Sequence, residues 1–175
     1  MEIWDLYDKD GNRTGKTWNR ADERRFPDGY YHMVCDILVR HVDGDFLLMQ
    51  RDFNKEPYPG RYEASAGGSA LAGEDPLTCA KRELLEETGI RSDSFDLISH
   101  TFSEKSRAMF YSYLTTVDCD KDSIILQEGE TIAYKWISLS EMLEHIKSDE
   151  GIPSHNRRYE SYFRKFLEDE GKSDK

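Results

Sequence analysis

Cysteine is scarce in this chain: three in 175 residues, at Cys35, Cys79 and Cys119, far apart and in no paired spacing. That excludes a disulfide-stapled scaffold and a zinc site built on CxxC pairs. The odd count and the lack of a secretory leader lead to an expectation of reduced thiols in a cytoplasm, each serving as a small buried apolar group. The opening MEIWDLYDKDG has no basic-then-apolar layout of a signal peptide. Long apolar runs are also missing, with a mean hydropathy of −0.79, so no membrane-spanning helix is expected. Positive charge is in deficit, 24 Lys and Arg against 35 Asp and Glu, for a net charge of −11. Stable binding to nucleic acid, which needs a basic footprint, is therefore not expected. An anionic small molecule stays compatible, because a bound metal ion inverts the local field.

The length suits one domain with a small extension. Strand patterns cover residues 2–8 and 13–18 around a Lys9–Asn12 turn, then 31–40 and 46–51 around an Asp43-Gly44 hairpin turn. A short strand over 61–66 leads into Gly67-Gly68. A helix is predicted over 75–88, opened by Asp75-Pro76, stopped by Gly89, and apolar at Leu77, Ala80, Leu84 and Leu85. Strands follow at 95–100, 109–117 and 132–137, then a helix over 140–146 with a serine cap and an amphipathic helix over 157–168. Strands interleaved with helices predict a single layered mixed α/β architecture. The expected division is a hairpin extension over 1–28 and a main domain over 29–170, with a frayed end after it.

The densest information lies between Gly68 and Ile90. Gly68, five residues, Glu74, seven residues, Arg82-Glu83, then Glu86-Glu87 and Gly89, with aliphatic residues at positions 84 and 90, form one unbroken pattern. On a helix Glu83, Glu86 and Glu87 sit at i, i+3 and i+4 and share one face. A bare helix gains nothing from three like charges there. Arg82 can brace a carboxylate, Glu74 can orient the helix start, and Gly67-Gly68 lets backbone approach a ligand closely. Oxygen-only ligands suit Mg²⁺ or Mn²⁺, which bind few protein carboxylates and keep sites for phosphate oxygens. Upstream, Arg51, Lys55 and Arg61 lie between a core strand and the Gly-Gly turn, where cations can complement a diphosphate.

This pattern resembles the Nudix box, and the chain is similar to members of the Nudix hydrolase superfamily over residues 68–90. The resemblance implies an α/β/α sandwich with a mixed sheet, here with an N-terminal β-hairpin. It also implies metal-dependent hydrolysis of a nucleoside diphosphate linked to a moiety X. By that resemblance Glu86 and Glu87 are principal ligands of Mg²⁺ or Mn²⁺, and the Gly68 carbonyl is a further one. Glu83 is ligand or general base, while Arg82 and Glu74 orient the others. A second catalytic carboxylate is expected from the loop LQEGET, with Glu130 ahead of Glu128. The stretch from Arg51 through Lys55 to Pro59-Gly60-Arg61 also resembles a subgroup that includes isopentenyl-diphosphate isomerase. Such an isomerase would carry a cysteine just before the box glycine, where this chain has Gly67. Isomerase chemistry and a catalytically silent nucleotide-binding module are the alternatives.

Substrate marks are sparse. No SQPWPFP-like stretch follows the box, and position 104 is Glu rather than the proline associated with ADP-ribose hydrolases. Tyr30, Tyr58, Tyr62 and Phe110 are candidates for stacking on a base. Trp4, Tyr7, Tyr159, Phe163 and Phe166 read as packing or subunit-contact groups, and His32, His100 and His145 as core or solvated residues. A hairpin left exposed at the N-terminus can pair between protomers, which makes a homodimer an open expectation.

Overall fold

The computed structural model describes residues 2–22 and 25–173. The order is β1 (Ile3–Tyr7), β2 (Arg13–Asn19), β3 (His32–His41), β4 (Phe46–Arg51), β5 (Tyr62–Ala64), β6 (Ala66–Ser69), α1 (Pro76–Thr88), β7 (Asp96–Ser103), β8 (Ala108–Val117), β9 (Thr131–Ile137), α2 (Leu139–Lys147) and α3 (Pro153–Ser173). The expected fraying falls partly on residues 174–175, which lie outside the described residues.

β3 is the centre of the sheet because HMVCDILVRH is apolar on both faces, the signature of a strand covered on both sides. It runs parallel to β8 from His32↔Ala108 to His41↔Val117, and β7 adds antiparallel outside β8. On its other side β3 meets β4 only at the hairpin base, Arg40↔Phe46, and then pairs with β6, Cys35 facing Gly68 and Asp36 facing Gly67. β4 turns away to pair with β5 and β9.

The single strand expected over 61–66 is thus two strands. The break falls at Ser65, whose hydroxyl accepts from Val39 N and donates to Leu47 O, both at 2.8 Å. Ser65 fills the wedge where β3 and β4 part, so the chain changes partner there.

Period-two alternation sorts the side chains into two cores. Cys35, Ile37, Val39, Leu47 and Met49 face α1, where they meet Cys79, Ala80 and Leu84. Leu38, Phe46 and Leu48 face α2 and α3, where they meet Met142, Tyr159 and Phe163. The result is helix, mixed sheet, helices: three layers. Leu77, expected on the apolar side of α1, is 46% exposed, and Cys79 takes that place.

α2 is capped by Ser138 rather than by Ser140. Ser138 accepts from Glu141 N at 3.3 Å, and the Glu141 carboxylate takes Ser138 N at 2.8 Å, a reciprocal capping box. α3 starts earlier than its apolar stripe, at Pro153, because its first turn is polar and periodicity cannot see it. A buried ion pair ties this helix to the sheet: Arg158 Nε lies 2.6 Å from Asp36 Oδ2 and Nη2 lies 3.0 Å from Oδ1. Among the described residues no helix is long and apolar enough to cross a membrane.

Candidate active site

α1 begins where the Asp75 side chain accepts from Thr78 N at 2.7 Å, and it ends where Gly89, at φ 75°, donates to Leu85 O at 3.0 Å. Between these caps the helix presents Glu83, Glu86 and Glu87 to the end of β6. A β-carbon at Gly68 would displace the Glu83 carboxylate. The strand and the acidic helix face are therefore packed to contact.

Arg82 organises the cluster. Its Nε and Nη2 grip both oxygens of Glu74, at 2.7 and 3.0 Å. Its Nη1 reaches Glu83 Oε1 at 2.7 Å and Glu86 Oε2 at 3.0 Å, and Nη2 also donates to Ser69 O at 3.1 Å. Burial alone would raise the Glu74 pKa, but the Arg82 contacts and the Leu71 amide outweigh it and hold the carboxyl below its usual range. The same environment holds the Arg82 guanidinium well above its ordinary pKa.

Glu87 sits in the opposite situation. Its Oε2 accepts from Gly67 N at 3.0 Å, and no guanidinium reaches it. Burial, reinforced by the charge of Glu83, pushes its pKa up to about 8. Glu83 is also raised, by burial first, with Arg82 opposing.

Across from this wall stand Lys55 and Glu130, joined as an ion pair. The Glu130 backbone carbonyl accepts from Asp52 N at 2.9 Å, which pins the loop after residue 126 to the loop before β5. Burial lowers the Lys55 pKa. Together these groups enclose a cleft of about 150 Å³ whose walls include Gly67, Gly68, Glu83, Glu86, Glu87 and Arg82.

Two of the cations singled out in the sequence are placed otherwise. Arg51 Nη1 is spent on Glu63, at 3.0 and 3.3 Å to its two oxygens. Arg61 Nη1 donates to Gly151 O at 2.9 Å, and its guanidinium lies over the Tyr58 ring. Neither lines the cleft, and Glu128 is exposed outside it. Of the aromatic candidates, Phe110 lies beneath the Arg158 guanidinium at 4.2 Å, Tyr62 beneath Lys135, and Tyr30 bonds Lys16; none reaches the cleft.

The cleft also contains residues that sequence reasoning missed: Glu2, Arg20, Ser69 and Gln127. The first two arrive through the N-terminal hairpin, which docks on its own chain. Ala72 N donates to Ile3 O at 2.7 Å, and Gly73 N donates to Asp5 Oδ2 at 2.8 Å. Trp4 stacks on His32 at 4.4 Å, and Tyr7 and Tyr31 exchange backbone bonds. Arg20 donates to Glu2 Oε2 at 2.7 Å. Their sequence neighbourhood carries no motif, so only the docking reveals them. His100 stacks on Tyr111 and His145 is buried, both away from the cleft.

No three His, Cys, Asp or Glu side chains among the described residues already converge into a metal cage. Arg82 stands between Glu83 and Glu86 instead. The donor set nonetheless fits a hard divalent cation. It is all oxygen, the Gly68 backbone approaches with no side chain in the way, and Glu87 is short of positive charge.

The profile of the NUDIX domain matches residues 30–159. The chain is 32% identical over 157 residues to the uncharacterized Nudix hydrolase lmo0368 of Listeria monocytogenes, covering 87% of this chain and 89% of that protein. It is 31% identical over 101 residues to an isopentenyl-diphosphate Delta-isomerase of Serratia proteamaculans, covering 58% of this chain and 55% of that one. In three dimensions it is similar to DR0079 of Deinococcus radiodurans, with a TM-score of 0.69, 20% identity, and coverage of 85% of this chain and 91% of that one.

Proposed function

This chain belongs to the NUDIX domain family and is a hydrolase, and we propose that it hydrolyses the pyrophosphate bond of a nucleoside diphosphate linked to a moiety X, with Mg²⁺ or Mn²⁺ as cofactor. The observation that carries the proposal is the cleft in which the carboxylates of α1 and the Gly67-Gly68 strand face Lys55 and Glu130. Glu86, Glu87 and the Gly68 carbonyl would hold the cation, with Glu83 beside them. Bound there, the cation neutralises the phosphoryl oxygens and acidifies water. The chain does the rest. Arg82 and Glu74 fix the directions of Glu83 and Glu86. Lys55 exchanges Glu130 for a phosphate of the substrate, which frees Glu130 to accept a proton from the attacking water. Glu83 serves as the other acceptor or as a ligand. Arg51 ties β4 to β5 through Glu63, and Arg61 holds the approach to α3 through Gly151. Positioning and charge supply the rate, and the products are a nucleoside monophosphate and phospho-X. Residues 29–170 form the catalytic unit, and the hairpin over 1–28 completes its wall.

The isomerase reading has a specific obstacle at Gly67. A β-carbon there would lie 2.7 Å from the Cys35 carbonyl oxygen, so a thiol cannot stand at that position without moving the central strand. Cys35, on the sheet face under α1, and Cys79, in α1 itself, are wholly buried. A product-resolved screen of nucleoside diphosphate sugars, dinucleotides, coenzyme A, nucleotides and prenyl diphosphates tests the proposal. Glu86→Gln and Glu87→Gln should each lose about a hundredfold or more in turnover while remaining folded. Full Mg²⁺-dependent activity in both variants would overturn the ligand assignment, and deuterium uptake from solvent into an allylic product would establish isomerase chemistry instead.

A further inference from the structure

On the face of the sheet that carries α3, a second cavity of about 400 Å³ opens between β7, β8 and the start of that helix. No residue lines both this cavity and the acidic cleft. Its chemistry is the reverse of the cleft's. In a chain of net charge −11, its described wall contains no carboxylate. Thr101, Ser103, Ser106 and Ser154 contribute hydroxyls, and Arg157 and Arg158 contribute guanidinium groups.

The two arginines are prepared differently. Arg158 is 9% exposed and held rigidly, stacked on Phe110 at 4.2 Å, ion-paired with Asp36 and donating to it through Nη2. Those bonds leave its Nη1 without a protein partner among the described residues. Arg157 is exposed at the rim and has no hydrogen-bond or ion-pair partner among the described residues. The carboxylates around it are already engaged: Asp36 with Arg158, Glu63 with Arg51, Glu160 with Arg164, and Glu104, between Ser103 and Ser106 in sequence, with the Tyr31 hydroxyl. Ser103 and Ser106 are joined to each other at 2.6 Å, so both are oriented into one group.

We infer that this cavity binds a phosphoryl group. An apolar ligand would have to strip water from unpaired guanidinium N–H groups, and a cation would meet two arginines. A carboxylate offers two oxygens, enough for one guanidinium fork. A phosphoryl group offers three, which can engage Arg157, the free arm of Arg158 and the hydroxyls together. The size lies in the range of small-ligand sites. The phosphoryl group belongs either to the X portion of the substrate or to a separate phosphorylated ligand.

The test uses the full ¹⁵N-labelled chain in EDTA, so that the acidic cleft is out of play, with inorganic phosphate titrated at constant ionic strength against chloride. Saturable shifts are expected in the backbone amides of Ser103, Ser106 and residues 154–157. Arg157→Gln, an exposed change that leaves the Asp36–Arg158 pair intact, should weaken phosphate binding about tenfold or more. Mg²⁺-induced shifts at residues 83–87 should stay as in the parent. Arg157→Lys should recover part of the affinity. Absence of saturable shifts, or equal phosphate affinity in Arg157→Gln, would overturn the inference whatever the acidic cleft turns out to do. Steady-state kinetics then separates the two sources. A raised KM with unchanged kcat in Arg157→Gln assigns the group to X, and unchanged constants assign it to a separate ligand.

Discussion

Glu87 gives the sharpest physical test, because its environment turns a catalytic feature into a measurable stability. Burial and the charge of Glu83 carry its pKa from the usual 4.5 to about 8 in the metal-free fold. The folded protein then keeps a proton on Glu87 through neutral pH, while the unfolded chain has released it. Stability therefore falls as pH rises from about 4.5 to about 8, since the native state binds more protons throughout that window. At 1.36 kcal/mol per pH unit the full effect reaches about 5 kcal/mol. Solvent relaxation at a partly accessible carboxyl reduces this to a few kcal/mol. Glu87→Gln keeps an oxygen for the Gly67 amide and cannot ionise. Near pH 5 it should match the parent; at pH 8.5 it should be more stable, with Tm higher by roughly 5–10 °C for a chain of this size. The assay is thermal and urea unfolding in EDTA between pH 6.5 and 8.5, a window chosen to lie above the titration of His32. In the parent, Mg²⁺ should stabilise more strongly as pH rises, because it binds the ionised carboxylate. If the parent and Glu87→Gln show the same pH slope in EDTA, Glu87 ionises freely and the account of the cleft as a site short of positive charge fails.

Other outcomes follow from contacts already described. Gly68→Ala would push a methyl group into the Glu83 carboxylate; a loss of activity of at least tenfold with a modest fall in Tm is expected, and wild-type turnover would refute the close packing. Lys55→Ala should raise KM for the diphosphate by about tenfold while leaving Mg²⁺ affinity nearly unchanged; the reverse pattern would remove Lys55 from the phosphate grip. Burial lowers the His32 pKa to about 4, so the folded state keeps it neutral, and the stability it contributes is lost as pH falls from 6.5 towards 4. His32→Phe, which retains stacking on Trp4, should flatten that acid limb in unfolding experiments.

Much of this arrangement was legible because it is written in local spacing. Asp75, Pro76 and Gly89 mark the ends of α1 through backbone rules that act within a few residues, and the i, i+3, i+4 placement of Glu83, Glu86 and Glu87 follows from helix geometry. The apolar runs of β3 and β4 around the Asp43-Gly44 turn marked the central strands for the same reason. What escaped depended on contacts between distant segments. Arg51 looked like a free phosphate ligand because its partner, Glu63, lies on a neighbouring strand whose register no local pattern states. Asp36 and Arg158 form the buried tie between β3 and α3 across 122 positions of chain. Ser65 ends one strand and begins another only because β3 and β4 separate at that point. Glu2 and Arg20 reach the cleft only because Ile3 and Asp5 dock on residues 72–73.

That docking has a practical corollary for anyone preparing the protein. Glu2 lies on the rim of the acidic cleft, and the next few residues brace the loop that steers Glu74. A purification handle fused ahead of this point would emerge at the mouth where substrate has to arrive, and a histidine-rich one would bring its own metal ligands to the door. The same handle placed after α3 would leave that entrance clear, so a difference in specific activity between the two fusions would report on the entrance itself rather than on the chemistry inside.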